Sequence, residues 1–289
     1  MLIAPNAATY ATRVPYITPK EFRAHPTGVD SAKLVINGST AANDQALLQV
    51  IRRASSLADG MCGGKILAAT LDTQSGSYRV QRDGTILIPL DWSPIVAVDS
   101  VTAGLQPGSQ IKLVEGPDWF LDGRVLRVPT SFVGMAQSDK VYATVRYVNG
   151  WANAVLTTAP TVGATSVTVS NALGIVPGQT LSLTGSETSE FAVVAASYVP
   201  SLSLNPTPVP LVSPLAFGYA VGDVFTSFPP DVKLAVIFLT AGIIKARGTK
   251  ALTMASTRSG PESEAPEKEV NAQEMQMAEE ILSSYRRTI

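Results

Sequence analysis

The run from Asp231 to Arg247, DVKLAVIFLTAGIIKAR, is apolar on every side from Leu234 to Ile244 apart from Thr240 and Gly242. A helix that is hydrophobic all round is a buried one. Pro229 and Pro230 lead into it, Asp231 suits its first turn, and Lys245 and Arg247 complement the negative end of its dipole. Gly248 then offers a stop. A second helical pattern runs from Ala41 to Asp59. Leu47, Val50, Ile51, Ala54, Leu57 and Ala58 recur at helical spacing, with Gln49, Arg52 and Arg53 on the other face. Gly60 and the pair Gly63-Gly64 close it. Its apolar stripe needs a cover, and the 231–247 helix is the partner of matching character.

Shorter elements surround these two. Thr18-Pro19-Lys20-Glu21 is a compact helix start, with a cap, a first-position proline and a capping-box glutamate. Pro26 and Gly28 keep that helix short. From Lys65 to Tyr147 the period changes to two. Tyr78–Val80 and Thr85–Ile88 flank Asp83-Gly84, and Trp119–Leu121 and Arg124–Leu126 flank Asp122-Gly123, both hairpin signals. Ile95–Val101 and Val141–Tyr147 alternate as strands do. Between Ala152 and Phe228 alternation continues in Ser166–Val169, Leu181–Leu183, Phe191–Val194 and Leu202–Leu204. This stretch has no lysine or arginine, and its charges are Glu187, Glu190 and Asp223. It reads as a small all-β module of about 75 residues. After Gly248 a Thr-, Ser-, Gly-, Pro- and Glu-rich link leads to a last helix over 267–287. Ala278, Ile281, Leu282 and Tyr285 lie on one face of it and must dock on the same chain or on a neighbour.

The pattern therefore predicts an α+β protein. Helices near 41–59, 231–247 and 267–287 form a bundle with an antiparallel sheet part. Residues 1–151 plus 229–289 make one discontinuous domain, and 152–228 a β-sandwich-like insertion. Composition adds bounds. Of 289 residues 45% are hydrophobic, enough for a real core, and the net charge of −1 argues against a general electrostatic grip on nucleic acid or an acidic membrane. The apolar run at 234–244 is too short to span a bilayer, which takes about 20 residues. No basic start or continuous apolar run marks residues 1–17 as a leader, so a soluble protein made and kept in a cytoplasm is expected.

The chemistry is sparse. One cysteine, Cys62, excludes an intrachain disulfide framework, and its plain reading is a small residue near a helix end. The single histidine, His25, sits at the end of the first helix and cannot anchor a metal cluster or a triad. No phosphate loop or dinucleotide fingerprint occurs. Asp118 and Asp122 flank a turn that explains Asp122 without a glycosidase role. Glu262, Glu264, Glu267 and Glu269 read as a solvated link rather than a cation site. Met254, Met275 and Met277 suit either ordinary packing or an adaptable contact with a partner helix. No catalytic, cofactor or metal residues are assigned, and no enzymatic activity is expected.

Three pieces, taken in order, carry a family likeness. The first is Thr18-Pro19-Lys20-Glu21-Phe22 with the helix Asp44–Ile51 and Ala54–Cys62. The second is Ser93-Pro94-Ile95-Val96-Ala97-Val98-Asp99-Ser100-Val101 leading to Asp118–Leu126. The third is Val145-Arg146-Tyr147-Val148-Asn149-Gly150-Trp151, which continues at Pro229-Pro230-Asp231-Val232-Lys233-Leu234-Ala235. Together, over residues 18–151 and 228 to about 250, they resemble the head–tail connector (adaptor) proteins of long-tailed bacteriophages. The departure is 152–228, which compact members lack. Over Ala164–Leu183 and Gly218–Val224 it is similar to small β modules of phage structural proteins.

The resemblance implies a virion neck protein assembled in the host cytoplasm. It would form a ring, commonly of twelve subunits, between the portal and the stopper or next tail protein, and pass DNA without sequence-specific binding. In the family the C-terminal helical part engages the portal. On this chain that implies Met275, Ala278, Ile281, Leu282, Tyr285, Arg286 and Arg287. The all-round apolarity of the 231–247 helix suggests that Leu234, Ile237, Phe238 and Ile244, with Leu47 and Ile51, also pack subunits together. The 152–228 module would decorate the vertex or brace the major capsid protein. The alternative is an accessory protein whose module binds host glycans, against which Trp92, Trp119 and Trp151 all lie outside the module. A hydrolase, which would lean on His25 and Cys62, has the least support.

Overall fold

A computed structural model describes residues 14–129, 140–185, 188–202, 204–256 and 265–286, with backbone alone for 247–256 and 265–272. Helix α1 (Pro19–Ala24) starts with the expected capping box. Thr18 Oγ1 accepts from the Glu21 amide at 3.1 Å, and Glu21 Oε2 accepts from the Thr18 amide at 2.7 Å. After a 3₁₀ turn at Ser31–Lys33, α2 (Thr40–Met61) is capped by Ser39. Buried Asn43 holds the turn before it, accepting from the Val35 amide and donating to the Gly38 and Ser39 carbonyls. Helix α3 (Pro230–Ser256) and helix α4 (Ala265–Ser283) complete the set.

Among the described residues thirteen strands form four sheets, and each pair of neighbouring strands within them runs antiparallel. In the first, β1 (Thr70–Arg79), β7 (Lys140–Asn149), β3 (Ile95–Gly104) and β4 (Ile111–Leu113) lie side by side in that order. The second is β2 (Thr85–Pro89), β6 (Val125–Pro129) and β5 (Phe120–Asp122). Val141, Ala143, Val145 and Tyr147 alternate inward from β7 and meet Ile86, Ile88, Leu126 and Val128 of the second sheet in one apolar core. The third sheet orders β11 (Ser189–Val193), β10 (Thr180–Thr184), β13 (Val224–Thr226) and β8 (Asn153–Val155). The fourth pairs β12 (Thr207–Pro210) with β9 (Ser166–Val169). Leu181, Leu183, Val167, Val169, Val209 and Phe225 join these two over a second core.

The helices close a third core. Leu47, Ile51, Ala54 and Ala58 of α2 meet Val232, Ala235, Val236 and Leu239 of α3, with Ala278 and Leu282 of α4, and Tyr16, Phe22 and Phe228 from the flanks. A buried polar knot braces it. Tyr16 Oη donates to Asp59 Oδ1 at 2.6 Å, and the Leu67 amide donates to the same oxygen at 2.9 Å.

The expectation of a helical bundle carrying a sheet part and an inserted domain is overturned. Among the described residues thirteen strands outnumber four helices, and two of the three cores contain strand and loop residues alone. The physical reason lies in short strands. β4, β8 and β13 have three residues each, too few to show a period, and β12 contains Pro208 and Pro210, which ordinarily argue against a strand. Two element boundaries also move. α3 runs on through Gly248 to Ser256, because Thr249-Lys250-Ala251-Leu252 can continue a helix and a lone glycine costs only about 1 kcal/mol there. The Asp83-Gly84 turn forms, but β1 and β2 part after one bridge at Val80 and Ile86 and enter different sheets. Leu202 and Leu204 lie outside any strand, and Ser203 is outside the described residues.

Candidate functional site

Of the residues expected to dock a portal, Met275, Ala278, Ile281 and Leu282 sit on α4 and Tyr285 and Arg286 just after its end at Ser283, and the fold turns most of these inward. Ala278 and Leu282 are fully buried against α2 and α3, and Met275, Ile281 and Tyr285 pack on the same core half-buried. Lys245 Nζ reaches Glu274 Oε1 at 2.6 Å, tying α3 to α4. The Tyr285 ring meets Trp151 edge-on at 5.8 Å. Burial, then the Asp231 carboxylate beside it, raises the Tyr285 hydroxyl above its usual range. Arg286 is exposed and pairs with Glu279 at 3.6 Å. Of the two docking alternatives for this helix, the described structure shows the one on its own chain. Arg287, Glu187, Glu262 and Glu264, and the side chains of Met254, Glu267 and Glu269, lie outside the described residues.

The residues expected to pack subunits divide in two. Leu47 and Ile51 have no exposed surface and Ile237 has almost none, so the chain's own core uses them. Leu234, Phe238 and Ile244 stay partly exposed. Leu234 and Ile237 line a shallow apolar groove of about 320 Å³ with Ile17, Ala24 and His25. His25 caps α1, its amide donating to the Phe22 carbonyl, and its ring lies edge-on to Phe238 at 6.2 Å.

A larger groove, about 370 Å³, lies between the third sheet and the start of α3. Its floor follows from strand alternation. Leu181 and Leu183 enter the core, so Thr180, Ser182 and Thr184 face out. The register sets Phe191 beside Ser182 on that face, 77% exposed. Lys233 closes one end, bonded to Glu21 Oε1 at 2.8 Å and Ser182 Oγ at 3.3 Å. That pair is mostly shielded from water, and the capping box of α1 orients the glutamate. The sequence pattern hid this groove, since an outward Ser/Thr row is ordinary for a half-buried strand. The one available signal was Phe191, a large aromatic on the outer side of its strand.

Asp72 on β1 is an electrostatic hub. It accepts from Lys65 Nζ, Thr70 Oγ1 and Asn149 Nδ2, and Lys65 lies 5.4 Å from the Trp92 ring centre. Burial alone raises its carboxyl, but these three donors and the Lys65 charge overcome that and hold it below the usual range. Burial pushes the Tyr147 hydroxyl up to about 12, and its oxygen accepts from the Trp92 amide. Among the described residues no three His, Cys, Asp or Glu side chains are grouped to hold a metal ion, and no helix is long and apolar enough to cross a membrane.

No protein-family model matches the chain, and no curated protein matches it. Among solved structures, a chain in "Neck of empty GTA particle computed with C6 symmetry" is similar over 91% of this chain and 95% of that one, at 12% identity and a TM-score of 0.30. A superposition that loose transfers neither fold nor role.

Proposed function

We propose that the chain is a structural protein of a phage-type particle neck. It acts by assembly, not catalysis, as a ring between a portal and the next neck protein, with DNA passing through the lumen. One observation supports this reading above the others. Stretches from the first and third connector-like pieces, far apart in sequence, meet in a single core. Phe22, Leu47, Ile51, Trp151, Val232 and Ala235 all belong to or pack on it. The shared order of those pieces is thus also a shared place in the fold.

The C-terminal helix is the portal-facing element in this proposal. Removing residues 265–289 is expected to leave the strands folded and to abolish co-sedimentation with portal rings. Retained portal binding by the truncated chain would remove α4 from that role.

A second reading, an accessory protein that binds surface glycans, draws on the groove beside Phe191. An exposed ring over a row of hydroxyls suits a polyhydroxylated ligand. Glycan-array binding by the full chain that Phe191→Ala abolishes is the expected outcome of that reading, and an unlabelled array excludes it.

A further inference from the structure

We infer that the outer face of the first sheet is a contact surface for the phosphate backbone of duplex DNA. The strand register builds that face. Val141, Ala143, Val145 and Tyr147 of β7 point into the core, so Lys140, Tyr142, Thr144 and Arg146 point out. On one side β1 sets Arg79 opposite Lys140, Ser75 opposite Thr144 and Thr73 opposite Arg146. On the other β3 sets Thr102 opposite Thr144 and Ser100 opposite Arg146, and β4 sets Lys112 opposite Thr102. The result is a floor of hydroxyls with cations around it, and Arg79, Lys112, Lys140 and Arg146 are all exposed. Asp99, in the irregular part of β3, is the one carboxylate described on this face, 3.4 Å from Arg146 Nε. A rise of about 3.3 Å per residue sets Lys140 and Arg146 about 20 Å apart, and two strand spacings set Lys112 about 10 Å to the side of Thr144. The hydroxyls are held in place. Ser75 Oγ and Thr144 Oγ1 lie 3.0 Å apart, Gln110 Nε2 donates to Thr144 Oγ1 at 3.1 Å, and Thr102 Oγ1 donates to Gln110 Oε1 at 3.2 Å. Cations and hydroxyl donors are the groups that hold phosphate and sugar oxygens whatever the base sequence. Tyr142 is the one aromatic in this set, too few for the stacking platform that a single strand uses. The outer row of the third sheet also offers hydroxyls, but Lys233 beside it is paired with Glu21. The net charge of −1 over the whole chain hides the local excess. Four cations make a salt-labile contact that a moving duplex can leave. The choice of DNA over another polyanion rests on the neck reading.

The test is fluorescence anisotropy of a labelled mixed-sequence duplex with the full chain across a salt series. With four phosphate contacts the logarithm of the binding constant should fall against that of salt with a slope of roughly −3 to −4, a loss of about 100-fold between about 50 and 200 mM. The triple variant Arg79→Gln, Lys112→Gln, Lys140→Gln should bring the slope to about −1 and weaken low-salt binding at least tenfold. Lys20→Gln, Lys33→Gln, Arg53→Gln makes the same change in net charge away from this face and should bind as wild type does. Should the triple variant fail to fold by circular dichroism, Lys112→Gln alone should lower the slope by about 0.9. Wild-type protein without salt-dependent binding, or equal losses in the two triple variants, overturns the inference. So does tighter binding of poly-glutamate than of DNA, which would give the face to an acidic protein segment. A ring of the expected mass that ignores DNA removes this surface and leaves the neck reading. A monomer that holds DNA through these cations removes the neck reading and leaves the surface.

Discussion

Asp72 shows how much one side chain does in this fold. It links the start of β1 to Lys65 before the strand and to Asn149 at the end of β7. Replacing it with asparagine keeps the shape and leaves Lys65 without its countercharge. The cost is expected at about 1.5–3 kcal/mol, the range for a hydrogen bond to a charged group. The sign with pH follows from the depressed carboxyl. Its stabilisation is fully present above the unfolded value, near 3.8, and is lost as the pH falls through the lower folded value. Urea unfolding of wild type and Asp72→Asn at pH 7 and at successive acidic values should therefore show a gap that narrows below about pH 4. A gap that stays constant or widens on acidification contradicts the assignment. None of this was legible in the chain, because Lys65, Asp72 and Asn149 are ordinary polar residues until the β1–β7 register puts Thr70 opposite Asn149. Gly174 is a similar case. Its φ is +81°, and a Cβ there would lie 2.6 Å from the Ala69 Cβ. It keeps the turn before Ile175 tight against the start of β1, and nothing in its local sequence announces that contact.

At the scale of elements, what the chain declares depends on length and period. α2 shows its stripe over 22 residues, and α1 its capping box, so both were readable. The Asp122-Gly123 hairpin was readable too, since β5 and β6 pair directly across it. β4, β8 and β13 were not, since three residues without a two-residue turn beside them show no period, and the longer helical stripes outweigh them. α4 shows a different limit. Its stripe was visible, but a stripe does not say which surface covers it. The division of the chain at 152–228, taken apart from the overturned helical bundle, is a proposal that the junction makes testable. The Ala152 amide donates to Ser227 Oγ, and the Ser227 amide to the Ala152 carbonyl, both at 2.9 Å, so the two ends of the stretch are adjacent. Trp151 and Phe228 already touch, with ring centres 6.1 Å apart. Joining Trp151 to Phe228 is expected to yield a soluble chain that keeps its helical signal and a cooperative transition. Loss of that transition would make the third sheet part of one indivisible fold.

For the whole molecule the decisive feature is where apolar surface remains. The three cores use most of the large side chains, yet Leu234, Phe238 and Ile244 on α3 stay partly open, and Leu234 lines the shallow groove at His25. A ring needs two different faces on each subunit, because a head-to-tail contact that closes on itself is heterologous. A near-neutral chain suits a conduit, since strong attraction to phosphates would retard the DNA it passes. Assembly into such a ring is the proposal that particle mass tests most directly. Native mass measurement of the chain, alone and with portal rings, should give a species many times 30.3 kDa at a fixed subunit number. A strictly monomeric chain that never joins a portal would contradict the account.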